Sequence, residues 1–220
     1  MGLKDFAINC IKKLKQIGCN IVADDLTFID YFSSDTELGL LTILGKHKYK
    51  ISINSKLAKQ EKQNLFLSTL YHELCHIIQF NEAFDNNIID FNSETKEIIC
   101  ISQNENLLIN IIFGIDGSYH SDYWLQLAKE INQLLEINPP IVAWLNKKDL
   151  ELFLKETFMK IPNKLKTPLT IVDRIISDIS IEELDNYDFS ASQQEISEET
   201  LINKKVISLK EWLSSKYKGE

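Results

Sequence analysis

Two histidines four residues apart, His72 and His76, are the residues in this 220-residue sequence best suited to chemistry. On an α-helix, positions i and i+4 lie one turn apart on the same face, with about 5–6 Å between Cβ atoms. Two imidazoles so placed can bind one zinc ion at roughly 2.0–2.1 Å. Glu73 follows His72 directly, so its carboxylate can reach a metal-activated water without binding the metal itself. The pattern HExxH therefore predicts a zinc-dependent hydrolase.

A zinc ion that keeps an open position for water needs a third protein ligand. His47 and His120 are the remaining histidines. His47 lies in a lysine-rich turn, where like charge opposes a cation, so we expect it to be a solvated turn residue. His120 immediately precedes a helical pattern and is the favoured third ligand. Glu94 and Glu97, on a short stretch assigned to a helix, are the acidic alternatives.

The elements that must position these residues are predicted from hydrophobic periodicity. Residues 57–80 form the long helical pattern that carries the motif. The segment 81–118 is rich in Asn and acidic residues and is predicted to be irregular. The other predicted elements are a helix at 3–17 ending at Gly18, strands at Leu26–Phe32, 38–44 and 49–53, and a helix at 121–137. The last two strands form a hairpin around Gly45-Lys46-His47-Lys48. The expected class is α+β, a small sheet with a hairpin packed on the motif helix.

A domain boundary is predicted at Asn138-Pro139-Pro140, because proline removes a backbone donor and disfavours helix in the residue before it. Residues 1–137 would form the metal-binding domain, and residues 138–220 a mainly helical C-terminal extension of unknown role with no histidine or cysteine. Within the extension the pattern predicts helices at 141–160 and 169–179, a polar linker at 190–200, and a last helix opened by the capping box Ser208-Leu209-Lys210-Glu211.

Charge is spread unevenly over the chain, whose formal net charge is −8. Residues 63–137 carry two lysines and eleven acidic residues, which suits a cation site better than a phosphate site. Residues 1–62 carry ten lysines and seven acidic residues. Charge runs of this kind are usually solvated faces. Any DNA contact would use two lysine clusters, Lys12, Lys13 and Lys15 in one and Lys46, Lys48 and Lys50 in the other.

The sequence gives no sign of a membrane span or a disulfide framework. No apolar run reaches the roughly 18 residues needed to cross a bilayer, and the first residues form an amphipathic pattern instead of a secretory signal. We therefore expect a cytoplasmic protein. The cysteines contain no C-x-x-C pair, so they are expected to be small buried apolar residues: Cys10, Cys19, Cys75 and Cys100.

Part of the sequence resembles a known family of proteases. The segment "ISINSKLAKQEKQNLFLSTLYHELCHIIQF" resembles the metal-binding region of SprT-like proteases, the group that includes Spartan, in which a strand and a short connection precede a helix carrying HExxH. The segment "YHSDYWLQLAKEIN" resembles their later block, in which the third histidine opens a helix and an aromatic residue follows one turn later. "FIDYFSSDTELGLLTILG" is compatible with the strands before the motif. The resemblance covers about residues 26–137.

The resemblance implies a zincin-like metalloprotease domain in which Zn²⁺ is bound by His72, His76 and His120. It implies endopeptidase activity on protein substrates, with Glu73 as the general base that takes a proton from the metal-activated water. Relatives of the Spartan type cleave proteins crosslinked to DNA. The two blocks lie farther apart here than in the family pattern, so we expect an insertion near 81–115. Residues 138–220 contain none of the cysteine-rich zinc module found in many relatives.

The sequence also suggests further groups that could act in catalysis or substrate binding, and two alternative functions. Packing is the favoured role of Tyr119 and Tyr123, and the alternative is that one of them is an additional oxyanion donor. The strand at 49–53 could pair with an extended substrate. A function of another class is a non-catalytic, metal-stabilised binding module with a closed structural zinc site, whose fourth ligand would be Glu94 or Asp116. An amidase or deubiquitinase-like hydrolase would share the zinc chemistry and differ in the shape of its cleft.

Overall fold

Two small sheets and five α-helices make up the part of the chain that the computed structural model describes, residues 2–34, 37–59, 62–113, 119–137, 141 and 206–216. The predicted α+β class is confirmed. In chain order the elements are α1 (Leu3–Gln16), β1 (Leu26–Phe32), β2 (Gly39–Gly45), β3 (Lys48–Asn54), α2 (Gln63–Asp85), β4 (Ile89–Asn92), β5 (Glu97–Cys100), α3 (Glu105–Ile111), α4 (Asp122–Leu135) and α5 (Leu209–Lys216). None of these described helices is both long and apolar enough for a membrane span.

The larger sheet has the strand order β1-β3-β2. The predicted hairpin is confirmed, since β2 and β3 pair antiparallel. Strand β1 has the predicted bounds and pairs parallel with β3. The apolar side of β3 is as expected, since Tyr49, Ile51 and Ile53 are fully buried, but the alternation is incomplete because Ser52 and Asn54 are buried as well. The pattern identifies the strands because alternate residues of a strand point to one face of the sheet.

The central position of β3 contradicts one expectation. Its backbone is paired with β1 on one side and with β2 on the other, so the strand at 49–53 cannot accept an extended substrate. The prediction failed because a hairpin alone does not reveal that a strand from elsewhere in the chain occupies its second edge. Within the described residues no strand pairs with the outer edge of β2.

Helix α2 crosses the centre of the molecule. It starts later than the predicted helix at 57–80, because Ser55–Ala58 forms a separate 3₁₀ turn in which the Lys56 amide donates to Oδ1 of Asn54. It also ends later, at Asp85. Residues on every side of α2 are buried, including the polar Glu73, His76, Gln79 and Asn81. Such groups need partners, because a buried polar group that loses water without gaining a hydrogen bond is costly.

The segment 81–118 is more regular than predicted. Helix α2 continues to Asp85, β4 and β5 form a second antiparallel hairpin, and α3 follows. The assignment of Glu94 and Glu97 to a short helix is wrong: Glu94 lies in the hairpin turn and Glu97 begins β5. The Asn92 side chain explains the turn, since its Oδ1 accepts from the amides of Glu94 and Thr95 at 2.9 and 3.3 Å.

Helix α5 packs against the same core as the first 137 residues. The Val206 amide donates to the Ile17 carbonyl at 2.9 Å, and the Trp212 ring lies 5.6 Å from that of Tyr123. The predicted capping box is confirmed, with Ser208 and Glu211 each bonding the other's backbone amide. The predicted boundary at 138–140 lies outside the described residues, as do the linker at 190–200 and, apart from Ile141, the helices predicted at 141–160 and 169–179.

Candidate metal centre

Three histidines converge from two elements. His72 and His76 lie on α2, and His120 lies just before α4. One ring nitrogen from each lies within 4.8 Å of the others, and the Nε2 atoms of His72 and His120 are 3.2 Å apart. Zinc–nitrogen bonds of about 2.0–2.1 Å in a tetrahedral site place two ligand nitrogens about 3.3 Å from each other. The three histidines therefore lie close enough to bind a metal ion.

Helix α4 fixes His120 through its first turn. Ser121 is the N-cap, and its Oγ accepts from the Trp124 amide at 3.2 Å. Trp124 is fully buried, with its ring centre 4.8, 5.0 and 4.7 Å from those of His72, His76 and His120. The indole thus forms an apolar wall shared by all three imidazoles. Helical periodicity predicts that Trp124 faces inward, but it does not predict this contact.

His76 is held in a neutral, oriented state. Its Nδ1 lies 3.0 Å from Oε1 of Gln79, which points the opposite ring atom, Nε2, away from that contact. Burial, and to a smaller extent the nearby His120, lowers the pKa of His76 to about 3, although the hydrogen bond to Gln79 acts in the opposite direction. A histidine must be neutral to bind a metal ion, so this environment favours the ligand form at neutral pH.

Glu73 lies next to the start of β2. Its side chain is only 5% exposed, and burial raises the pKa of its carboxyl to about 8. A Cβ added to Gly39 would lie 2.5 Å from Oε1 of Glu73 and 2.9 Å from Cγ2 of Thr69. Only glycine lets the strand approach the carboxylate this closely. The role of Gly39 was not predicted, since in the sequence it is only the second residue of the strand predicted at 38–44.

His47 is outside the metal group, as expected, but it is not simply a solvated turn residue. Its Nδ1 lies 2.8 Å from Oδ1 of Asn81, and its Nε2 lies 3.1 Å from Oδ1 of Asp85. Both partners belong to α2, so the half-buried ring ties the β2–β3 turn to that helix. The residue itself has φ 52°, a left-handed conformation that fits a tight turn.

The remaining candidates from the sequence are the acidic metal ligands and the two tyrosines considered as oxyanion donors. Glu94 and Glu97 are exposed on the second hairpin and do not join the group. Asp116 lies outside the described residues. Tyr123 is buried with its ring against Trp212, so it cannot contact a substrate. Tyr119 is 47% exposed beside His120, with its ring 5.7 Å from Phe80 and 5.5 Å from Phe113.

The cysteines behave as expected at three of four positions. Cys10, Cys19 and Cys75 are buried, whereas Cys100 is exposed, and all four are free thiols. Burial raises the pKa of Cys10 to about 11, with Tyr71 and Lys13 acting weakly in the opposite direction. A thiol with so high a pKa is neutral at physiological pH and is a poor nucleophile. None of the four belongs to the metal group formed by the described residues.

Comparisons with known proteins found no similar protein. No family model, curated protein or solved structure matches this chain. The resemblance to SprT-like proteases therefore stays a prediction that depends on the segments quoted above, and the function must be argued from the geometry of the site.

Proposed function

We propose that this protein is a zinc-dependent endopeptidase with a zincin-like fold, in which His72, His76 and His120 bind the ion. The observation that carries the proposal is the convergence of these three imidazoles beside a buried glutamate that follows the first of them in sequence. If His72 and His76 were ordinary surface histidines of a helix, we would not expect Nε2 of His120, 48 residues later in the chain, to lie 3.2 Å from Nε2 of His72.

The donor set fits zinc. Imidazole nitrogens are common zinc ligands, and three of them with one open position are typical of catalytic zinc sites. When bound, Zn²⁺ supplies Lewis acidity and lowers the pKa of a water molecule toward about 7. Among the described residues, no fourth histidine, cysteine or carboxylate joins the three histidines. This set matches the three protein ligands of a catalytic zinc site, and Glu94, one candidate for the fourth ligand of a closed structural site, does not belong to it.

Glu73 is the proposed general base. It takes a proton from the attacking water and passes it to the leaving amine. Burial keeps its pKa near 8 in the metal-free protein. Glu73 would ionise more readily once a cation is bound, because an opposite charge favours the carboxylate. A base whose pKa lies near the working pH both accepts and returns a proton efficiently.

The edge of β2 supports a polypeptide substrate. Strand addition to an exposed sheet edge aligns an extended chain through backbone hydrogen bonds. The outer edge of β2 has no strand partner among the described residues, and the strand begins at Gly39, against Glu73. A small amide would gain nothing from such an edge, which argues against an amidase.

A DNA-linked role has weaker support. Lys50 pairs with Asp30 at 2.7 Å, and Lys48 donates to the Asp24 carbonyl at 3.3 Å, so two members of the second lysine cluster already have partners. The lysines of α1 are exposed and stay the candidates for such a contact: Lys12, Lys13 and Lys15.

The ligand assignment is tested with two histidine variants. We expect His120→Ala to lose zinc affinity by more than about 100-fold, beyond the loss typical of a residue that only supports a ligand. His47→Ala is the matched control, because it removes the fourth histidine without touching the group, and its affinity should equal that of the wild type. Equal zinc affinity in His120→Ala and wild type would refute the assignment.

Hydrolysis is tested by adding zinc-loaded protein to a set of unfolded proteins, with and without single-stranded DNA. Glu73→Gln should retain zinc and lose about 10²–10⁴-fold in cleavage rate, the usual effect of removing a positioned general base. If Glu73→Gln cleaves as fast as wild type, Glu73 is not the base. If wild type binds zinc tightly and cleaves none of the proteins, the binding module becomes the better explanation.

A further inference from the structure

Gln79 is a fully buried side chain at the junction of the three elements that surround the histidines. It lies three residues after His76, on the same face of α2. Its Nε2 lies within hydrogen-bond distance of four oxygens: the carbonyls of Ile111 at 2.8 Å, Ile112 at 3.1 Å and Tyr119 at 3.0 Å, and the Ser121 hydroxyl at 3.1 Å.

These contacts determine the orientation of the amide. Three of the four oxygens are carbonyls, which only accept hydrogen bonds, and Ser121 already donates to the Ile111 carbonyl at 2.7 Å. The NH₂ group of Gln79 must therefore face them, which leaves Oε1 facing Nδ1 of His76. Because an amide oxygen only accepts, Nδ1 must carry the proton. The lone pair of His76 is then on Nε2, the atom available to a metal ion.

We infer that Gln79 is a positioning residue for the bound metal, which fixes the tautomer of His76 and ties the backbone beside His120 to α2. This inference depends on the metal-binding part of the proposed function and not on hydrolysis. Partners that orient a metal-binding histidine typically change metal affinity by about 10–100-fold when they are removed. Here one side chain orients one ligand and anchors the segment that carries another.

The competing explanation is that Gln79 only satisfies buried carbonyl groups. Asn81 provides a matched control for that role. It is also a buried amide of α2, with Nδ2 donating to Asn20 O at 2.9 Å and Asp25 Oδ2 at 2.8 Å, and Oδ1 accepting from Tyr49 at 2.8 Å. Nδ1 of His47 also lies 2.8 Å from Oδ1, and none of these partners belongs to the group of His72, His76 and His120. Loss of either amide should lower stability, but only Gln79 should affect the metal.

The experiment compares Gln79→Met, Gln79→Glu and Asn81→Leu with wild type in the full chain. Zinc affinity is measured by competition with a chromogenic chelator, ligand geometry by the visible spectrum of the Co²⁺ form, and stability by melting of the metal-free protein. Gln79→Met removes both functions. Gln79→Glu keeps an oxygen for His76 and removes the NH₂ tether, so it remains informative if Gln79→Met does not fold.

We expect both Gln79 variants to lose about 10–100-fold in zinc affinity and to show a changed Co²⁺ spectrum. Asn81→Leu should melt at a lower temperature with zinc affinity within about twofold of wild type, well below that range. The inference is overturned if the Gln79 variants bind zinc like wild type, or if Asn81→Leu loses as much affinity as they do. Wild-type protein that binds zinc without cleaving any protein would refute only the proposed hydrolysis.

Discussion

At the scale of single residues, Glu73 couples the site to the stability of the fold. Its pKa rises from an ordinary 4.5 to about 8 because burial disfavours the charged carboxylate. In the metal-free protein the folded state therefore binds this proton more strongly than the unfolded state does. The resulting stabilisation is complete below pH 4.5 and is lost as the pH rises through 8.

This linkage predicts a pH-dependent effect of Glu73→Gln on the metal-free protein. Glutamine is neutral at every pH, so the variant should be more stable than wild type by about 1–3 kcal/mol near pH 8.5 and nearly equal to it at pH 5. Urea denaturation in the presence of a chelator measures both values. His76, whose lowered pKa destabilises the fold as the pH falls from 6.5 toward 3, is unchanged in both proteins and cancels.

Glu97→Gln is the control, since Glu97 is exposed on β5. Its stability difference from wild type should stay the same between pH 5 and pH 8.5. If the stability difference between Glu73→Gln and wild type is also the same at both pH values, burial does not raise the pKa of Glu73.

The site residues that could be predicted from the sequence are those that lie close together along the chain. His72, Glu73 and His76 lie within one and a half turns of a helix, so their spacing is enough to predict them. His120 was found by its position before a helical pattern. Gln79 was not found, because the oxygens that its NH₂ group contacts lie 32 to 42 residues away and a glutamine in a helix has no distinctive signature.

At the scale of elements, β2 joins the sheet to the motif helix. It forms one edge of the sheet, and its first residue touches the Glu73 carboxylate. The hairpin was predictable from alternation and its turn. The parallel pairing of β1 with β3 was not, because no local pattern specifies which strand fills an edge. The β4–β5 hairpin was missed because its strands have only four residues each.

The close approach of β2 predicts that Gly39→Ala will disturb the base more than the metal. The new Cβ would lie 2.5 Å from Oε1 of Glu73, so the carboxylate or the strand must shift. We expect a loss of about 1–3 kcal/mol in stability, as for other overpacked sites, and a larger loss in cleavage rate than in zinc affinity. Thermal melting, chelator competition and cleavage of an unfolded protein measure the three effects.

Gly45→Ala is the matched control at the other end of the same strand. There the nearest contact of an added Cβ is the Lys48 Cβ at 3.8 Å, which is ordinary packing. This variant should resemble wild type in all three measurements. If Gly39→Ala and Gly45→Ala behave alike, the close approach of β2 to Glu73 does not matter for the base.

At the scale of the whole molecule, residues 206–216 join the chain's distant end to its beginning and centre. Besides the bond from Val206 to Ile17, the Ile207 amide donates to Oε2 of Glu130 at 2.8 Å. Lys216 pairs with Asp122 at 2.6 Å, across the N-terminal end of α4. The sequence predicted the last helix from its capping box, but it could not predict where that helix packs. A capping box specifies how a helix begins and not which surface it covers.

This packing predicts that Trp212→Ala in the full chain weakens the fold without weakening metal binding. Trp212 is 8% exposed, and its ring lies 5.6 Å from Tyr123. Truncating a buried aromatic costs roughly 3 kcal/mol or more, whereas the exposed Lys216–Asp122 pair contributes about 0.2–1 kcal/mol. Lys216→Ala is therefore the mild control.

Zinc affinity should be unchanged in both variants, because the segment carrying His120 is held by Gln79 of α2, whose Nε2 donates to the Tyr119 carbonyl and the Ser121 hydroxyl. Saturating zinc should then raise the melting temperature of Trp212→Ala by about as much as that of wild type, since ligand stabilisation depends on affinity and concentration. Urea denaturation and chelator competition test the two expectations separately. If Trp212→Ala loses zinc affinity along with stability, α5 supports the metal site as well as the core. If it loses neither, the Trp212 ring does not contribute measurably to the stability of the core.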